Sequence, residues 1–112
     1  MGTFTAGQVV LVHFPFSDLT ASKLRPAVVL SEAGRGDWIL CQITSKPYDD
    51  NHAIALDATD FAKGSLHLAS FARPGKLFTA HTSLVSGQVG ELQPVKFSEI
   101  RDAVVKMIQK GR

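Results

Sequence analysis

The sequence predicts a mainly β fold with one C-terminal helix, arranged as a small SH3-like barrel. Short apolar segments rich in β-branched residues alternate with turn residues along most of the chain, which is typical of strands. A single helical periodicity occurs, and it lies at the C-terminal end. The length of 112 residues suits one hydrophobic core, so we expect a single domain over residues 1–112.

The first half of the chain contains three predicted strands. They are Gln8–Phe14, Ala27–Ser31 and Trp38–Thr44, each strongly apolar. The polar stretch Ser17–Ser22 separates the first two, and the two glycines of "EAGRGD" predict a turn before the third. We expect these strands to be consecutive antiparallel neighbours in one sheet.

The second half has weaker strand patterns. Three further strands are predicted, at residues 52–57, 66–73 and 76–81. Pro74-Gly75 should end the second of them, and "DFAKG" at residues 60–64 is predicted as a turn. Residues 82–92 fit either a helical turn or a short strand.

The last predicted element is an amphipathic helix. Pro94 suits its first turn and Gly111 suits its end. Its apolar positions follow the i, i+3, i+4 spacing and are Phe97, Ile100, Val104, Met107 and Ile108. One face of this helix should therefore pack on the sheet.

Composition indicates a globular protein of the reducing cytoplasm. The net charge of +2 permits a polyanionic partner without requiring one. The single cysteine, Cys41, cannot form an internal disulfide, and its apolar context predicts a buried thiol. The N-terminal segment lacks a signal-peptide pattern, and no run approaches the roughly 20 apolar residues of a membrane span. We therefore expect a cytoplasmic protein with no membrane partner.

Common catalytic and cofactor motifs do not occur in the sequence. It contains no glycine-rich phosphate loop, no GxSxG and no HExxH. The histidines lie in different predicted elements without ligand spacing, at His13, His52, His67 and His81. Cys41 lies mid-strand, where a thiol is a poor nucleophile. We therefore expect no metal site and no cofactor.

The placement of Arg25 and Thr44 indicates a candidate phosphodiester-binding site. Arg25 begins the second predicted strand and Thr44 ends the third, so antiparallel pairing would bring them together at one end of the sheet. A guanidinium beside a hydroxyl can bind a phosphodiester and stabilise the charge that phosphoryl transfer builds on its oxygens. The alternative is structural: Arg25 would pair with Asp18 or Glu32, and Thr44 would cap its strand.

The stretch "GQVVLVHFPFSDLTASKLRPAVVLS", followed by "ILCQITS", resembles the MazF/PemK toxins of bacterial toxin–antitoxin pairs. The resemblance covers nearly the whole chain through Gly7-Gln8, Arg25-Pro26, Thr44-Ser45, Ala72–Thr79 and a closing helix over Phe97–Ile108. It implies an SH3-like barrel that forms a homodimer and cleaves single-stranded RNA, commonly mRNA, sequence-selectively and without a metal. The ribose 2′-hydroxyl would attack its own phosphodiester to give a 2′,3′-cyclic phosphate and a 5′-hydroxyl, and a cognate antitoxin would occlude the site.

The resemblance also implies roles for individual residues. Arg25 and Thr44 match the family's main catalytic pair, in which Arg25 would stabilise the phosphorane and Thr44 would hold a non-bridging oxygen. Further residues near this pair are expected to bind RNA through phosphate contacts or stacking, namely Lys23, Ser45, Lys46, Arg73, Lys76 and Phe16.

Two departures from the family pattern bear on activity. Gln8 stands where members often have an acid, and Gly75 stands where some have an aspartate proposed as an acid or base. Asp18, His13 and His81 are substitutes for that carboxylate among which the sequence does not choose. Two alternatives therefore stay open: a non-catalytic toxin on the same fold, like the gyrase-poisoning CcdB relatives, and an inactive SH3-like binding module.

Overall fold

The fold is mainly β with one C-terminal helix, as the sequence predicts. The computed structural model describes residues 4–15, 22–47 and 49–111. Its strands and helix are β1 (Gln8–Pro15), β2 (Ser22–Gly34), β3 (Asp37–Thr44), β4 (Ile54–Leu56), β5 (Phe61–Gly64), β6 (Ser70–His81), β7 (Val85–Leu92) and α1 (Pro94–Lys110). Two short 3-10 turns, Ala58–Asp60 and Thr82–Leu84, precede β5 and β7.

The seven strands of the described residues form one sheet, in the order β4-β6-β3-β2-β1-β7-β5, and every neighbouring pair is antiparallel. The predicted arrangement of β1, β2 and β3 as consecutive antiparallel neighbours is confirmed. Register shifts interrupt the ladders that β7 makes with β1 and β5, and those that β3 makes with β2 and β6. Such bulges bend strands and increase their twist, and the sheet curls into a half-barrel.

Strand β2 begins earlier than predicted, so Arg25 and Pro26 lie inside a strand rather than at its start. Both pair with residues of β1. The ladder between β2 and β3 reaches only as far as Ala27. Pro26 therefore stands where β2 has one partner strand, and its missing N–H is tolerated there.

Strand β6 runs through the Pro74-Gly75 step, where the sequence predicts a break between two strands. The register between β3 and β6 shifts on either side of Gln42, which leaves residues 73–76 as a bulge opposite it. Pro74 is buried in this bulge, where its missing N–H costs no ladder bond. The predicted strands 66–73 and 76–81 are thus parts of one bulged strand, except that residues 66–69 lie in the loop before it.

The predicted turn at residues 60–64 is wrong, because most of this segment is strand β5. Phe61 is only 8% exposed, and β5 pairs with β7. Gly64 has a φ of +65°, and a Cβ there would clash with the carbonyl oxygen of Val89. This glycine permits a close approach of two backbones rather than a reversal. Residues 82–92 combine both predicted options, a helical turn followed by β7.

Both faces of the central strands are buried. The cluster that includes Ile100 of α1 contains Val9, Val28, Cys41 and Ile43. A second cluster is formed by neighbouring positions on the same strands, including Val10, Val12, Ala27, Val29 and Leu40. Because successive side chains of a strand point to opposite faces, burial on both sides explains the nearly continuous apolar runs of β1, β2 and β3.

Helix α1 matches the predicted helix at both ends. Pro94 occupies its first turn, and Gly111 adopts a φ of +84° as the C-cap, with its N–H donating to the Met107 carbonyl oxygen. Val104 is buried against the sheet, whereas Ile108 is 69% exposed, so the apolar stripe leaves the sheet near the C-terminal end. Among the described residues, no helix combines the length and apolar character needed to cross a bilayer.

Candidate active site

A cleft of about 370 Å³ opens where β2 and β3 pass the loop that precedes β6. Its lining comes from residues 23–26 of β2, residues 43–45 around the end of β3, residues 66–68 of the loop, and Leu11 and Ser70. The cleft is therefore built by four segments that are far apart in the sequence and are brought together by the curl of the sheet.

Several of the predicted site residues meet in this cleft, namely Lys23, Arg25, Thr44 and Ser45. Ala27 and Gln42 form the last pair of the β2–β3 ladder at this end, and Arg25 and Thr44 each lie two residues beyond that pair on their own strands. Antiparallel pairing therefore produces the juxtaposition that the sequence predicts.

Arg25 is half-buried, and its backbone is held in the β1–β2 ladder opposite Val12. Its position on a strand rather than in a loop restricts where its side chain can reach. The planar guanidinium carries five N–H donors in a fixed geometry that matches two oxygens of one phosphate. Arg25 can therefore bind a phosphodiester in the cleft through paired hydrogen bonds.

A local hydrogen bond holds the Thr44 side chain in place. The backbone N–H of Lys46 donates to Thr44 Oγ1 at 3.1 Å, and Thr44 is only 7% exposed. Because this bond uses a lone pair of the oxygen, the hydroxyl hydrogen can still be donated to a ligand. Thr44 therefore caps its strand, as the structural alternative predicts, and also lines the cleft.

The loop between β5 and β6 forms a further wall of the cleft, and the sequence does not single it out. Leu66, His67 and Leu68 line the cleft from this loop. The Ser70 hydroxyl donates to the Leu68 carbonyl oxygen at 2.8 Å, which closes the loop against the start of β6. No motif or spacing signals His67, which the sequence places inside the predicted strand 66–73 rather than in a loop.

The cleft carries positive charge. Lys23 and Arg25 contribute cations, and the described residues that line the cleft include no carboxylate. Cations together with the hydroxyls of Thr44 and Ser45 favour an anionic ligand such as a phosphodiester. Elsewhere in the described ranges, too, no cluster of three or more His, Cys, Asp or Glu side chains could hold a metal ion.

Among the described residues, Lys46, Arg73 and Lys76 are also predicted to bind RNA, and they are not part of the cleft lining. Arg73 Nε donates to Asp50 Oδ2 at 2.8 Å, and the two side chains are 18% and 12% exposed. Lys46 and Lys76 are exposed, and Phe16 lies outside the described residues. RNA binding by these residues stays a prediction.

Asp50 fastens the loop between β3 and β4 to strand β6. It accepts the Arg73 hydrogen bond and a second one from the His52 backbone N–H at 2.9 Å. The Arg73 bond, followed by the His52 bond, lowers the pKa of Asp50 from its ordinary value. Arg73 therefore has a structural partner, which the sequence does not predict.

The two predicted substitutes for the missing carboxylate that lie in described ranges, His13 and His81, are not found in the cleft lining. His13 lies on β1 without lining the cleft. His81 pairs at the opposite end of β3 from Thr44, about 23 Å away along an extended strand. Asp18 lies outside the described residues.

Cys41 is a buried thiol, as predicted. It has no exposed surface, and its Sγ–H donates to the Arg73 carbonyl oxygen at 3.2 Å. Burial raises the pKa of Cys41 to about 12, because a thiolate would lose its hydration in the core. A protonated and inaccessible thiol is not a nucleophile.

Comparison of the sequence with family models gives a match over residues 5–108 to the PemK-like, MazF-like toxin of type II toxin–antitoxin systems. The chain belongs to this toxin family. The match spans every described strand and nearly all of α1, so the cleft lies wholly within the region typical of the family. Compared with curated protein sequences, this toxin has no significant match.

Solved structures share the fold of this toxin. MazF from Deinococcus radiodurans superposes with a TM-score of 0.74 at 21% identity, covering 97% of this chain and 99% of that one. A mycobacterial endoribonuclease in complex with its cognate antitoxin gives 0.73 at 15% identity, covering 97% and 96%. A MazE–MazF complex from D. radiodurans gives 0.74 at 19% identity, covering 93% and 94%. At these identities the similarity establishes the fold.

Proposed function

We propose that this toxin is an endoribonuclease that cleaves single-stranded RNA, mRNA above all, at selected sequences and without a metal ion. The observation that carries the proposal is the meeting of Arg25 and Thr44 in one cationic cleft of a MazF-like toxin. The structural relatives include a mycobacterial endoribonuclease, which supports RNA as the substrate.

The proposed reaction is an internal transesterification. The ribose 2′-hydroxyl attacks the adjacent phosphorus, the P–O5′ bond breaks, and the products carry a 2′,3′-cyclic phosphate and a 5′-hydroxyl. Because the nucleophile belongs to the substrate, the protein has to position the phosphodiester and stabilise the charge that develops on it.

Arg25 and Thr44 supply that stabilisation. The non-bridging oxygens gain negative charge in the phosphorane, so the Arg25 donors bind the transition state more tightly than the ground state. Thr44 donates its hydroxyl hydrogen to a non-bridging oxygen. It needs little rearrangement to do so, because the Lys46 N–H already fixes its oxygen.

Neighbouring groups of the cleft bind the rest of the RNA strand. Lys23 and Ser45 lie beside the pair and contact flanking phosphates. Lys46 and Lys76 are exposed cations that add a sequence-independent attraction, which weakens as salt concentration rises. Sequence selection then requires unpaired bases, because base edges are read most easily in a single strand.

The toxin should act as a homodimer in the cytoplasm and be neutralised by a cognate antitoxin protein. The D. radiodurans MazE–MazF complex and the mycobacterial endoribonuclease with its cognate antitoxin are assemblies that support this expectation. The simplest means of inhibition is occlusion of the cleft, which would exclude the phosphodiester from Arg25.

The test is cleavage of a long, unstructured RNA by the purified toxin in excess EDTA. New 5′-hydroxyl ends are mapped by sequencing, and the 3′ products are analysed for a cyclic phosphate. We expect discrete cuts that share a short sequence motif and are absent with Arg25→Ala. RNA that stays intact at high protein concentration would contradict the proposed function.

A further inference from the structure

We propose that His67 is the general base of this site and takes the proton from the attacking 2′-hydroxyl. The inference rests on the proposed ribonuclease function and adds a residue that no sequence pattern indicates. It starts from the position of His67 in the loop between β5 and β6, which lines the same cleft as Arg25 and Thr44.

His67 lies on the wall between two adjoining cavities. One is the cleft of Arg25 and Thr44, and the other is a cavity of about 240 Å³ that shares Leu66, His67 and Leu68 with it. A single-stranded RNA that runs from one cavity into the other crosses this wall with a phosphodiester linkage beside the imidazole. Leu68 is 67% exposed and offers apolar surface to the adjacent base.

Among the described residues that line the cleft of Arg25 and Thr44, His67 is the one whose chemistry suits a general base. Lys23 and Arg25 are cationic donors without an acceptor, and the lining hydroxyls are weak bases. The described residues that line the cleft include no carboxylate. A neutral imidazole has a ring nitrogen with a lone pair and is the side chain that most often accepts protons in catalysis.

Position 75 does not offer an alternative general base. The family resemblance implies an aspartate there in some members. Gly75 lies in the β6 bulge, and a Cβ there would lie 3.2 Å from Met107 Cε on α1. A side chain at this position would therefore meet the helix, and Gly75 does not line the cleft. His67 approaches the cleft from a different segment, the loop before β6.

The proposed step balances in atoms and charge. The O2′–P bond forms as the 2′ proton passes to a ring nitrogen of His67, and the P–O5′ bond breaks. O5′ takes a proton from water, and the imidazolium proton neutralises the hydroxide that remains. The toxin returns to its starting state, and no water is consumed in the net reaction.

The experiment compares the full-length toxin with His67→Ala, His67→Gln and a matched control, His52→Gln. His52 is exposed and lies in a separate cavity against α1. Rates are measured with protein in excess over a short RNA that contains one mapped cut site. We expect His67→Ala and His67→Gln to lower the cleavage rate by about 10²–10⁴-fold, and His52→Gln to leave it unchanged.

Added imidazole should raise the cleavage rate of His67→Ala by about tenfold or more, which a purely structural role of His67 would not allow.

A second substrate distinguishes a role of His67 as general base from a role as general acid. Replacement of O5′ by sulfur gives a leaving group that departs without a proton, so loss of a general base should still slow its cleavage. If the His67 variants cleave this substrate at the wild-type rate, His67 protonates the leaving group and the proposal is wrong.

The possible failures are distinguishable. Wild-type toxin that cuts no RNA contradicts the proposed function itself. Active wild-type toxin with a His67→Ala rate within about threefold of it contradicts the inference about His67 alone. Circular dichroism and thermal unfolding establish that each variant is folded before its rate is compared.

Discussion

The chain contains two arginine–proline pairs, and the fold gives them different surroundings. Arg25-Pro26 lies just beyond the point where the ladder between β2 and β3 ends, and Arg25 lines the cleft opposite Thr44. Arg73-Pro74 lies in the bulge of β6, and Arg73 binds Asp50 at 2.8 Å. Both prolines occur where a ladder partner is missing, which is where a strand tolerates them.

The difference shows that the dipeptide alone does not assign a role to the guanidinium. The role of each guanidinium is decided by the side chain that the adjacent segment places beside it. On the Arg25 side the described lining supplies hydroxyls and no carboxylate, which suits an anionic ligand. Beside Arg73 a loop supplies a carboxylate, which balances the charge and fastens that loop to the sheet.

The largest expected effect comes from removing the cleft arginine. Arg25→Ala should lower the single-turnover cleavage rate by about 10²–10⁴-fold, because it removes the main donor to the charged oxygens of the phosphorane. Arg25→Lys keeps the charge but loses the paired geometry, so we expect it to stay at least about tenfold below wild type. A loss for Arg25→Ala smaller than about fivefold would refute the assignment.

The hydroxyl opposite Arg25 should matter less. Thr44→Val removes one neutral donor and should slow cleavage by about 10–100-fold. The loss of the bond to the Lys46 N–H should cost about 1 kcal/mol of stability, so the variant should remain folded. Thr44→Ser retains the hydroxyl and serves as the control, and it should recover most of the rate. Equal rates for the Val and Ser variants would show that the hydroxyl takes no part.

The second arginine should act on stability rather than on chemistry. Asp50→Asn should lower the free energy of unfolding by about 1–2 kcal/mol, because it weakens a charge-assisted hydrogen bond between side chains of low exposure. Its cleavage rate well below the melting temperature should stay within about threefold of wild type. Urea unfolding and single-turnover rates measure the two effects separately.

The pH dependence of this stabilisation follows from the lowered pKa of Asp50. The folded-state pKa lies below the ordinary value of 3.8, so the contribution is full above that pH and is lost as the pH falls through the folded-state value. The stability difference between wild type and Asp50→Asn should therefore shrink in acid. A difference that persists unchanged would show that the ion pair is not its source.

The last prediction concerns the thiol that donates to the Arg73 carbonyl oxygen, which takes no part in cleavage. With a pKa of about 12, Cys41 should react with iodoacetamide at neutral pH about a thousandfold more slowly in the folded chain than in urea. Unfolding restores the ordinary pKa of 9.0. The contribution of the protonated, buried thiol to folding stability is therefore full below pH 9 and is lost as the pH rises to about 12. Rapid labelling of folded protein would show that the bulge of β6 opens readily.

The sequence predicts those parts of the molecule that depend on local patterns. The strands β1 to β3 and helix α1 have strong periodicity and clear end signals, and the antiparallel arrangement of β2 and β3 places Arg25 and Thr44 at the same end of the sheet. Strand β5 is missed because Gly64 resembles a turn residue, whereas its role is a close contact with β7. His67 is missed because the sequence places it inside the predicted strand 66–73, whereas β6 begins only at Ser70 and residues 66–68 line the cleft from the loop before it.

The catalytic role of Arg25 is tested most directly by measuring variants of the two arginines side by side. Arg25→Ala and Arg73→Ala are compared on one mapped RNA in excess EDTA, with each rate corrected for the folded fraction. We expect a loss of at least about 100-fold for Arg25→Ala, against less than about tenfold, with lower thermal stability, for Arg73→Ala. Equal losses, or the larger loss in Arg73→Ala, would contradict the assignment of catalysis to the cleft.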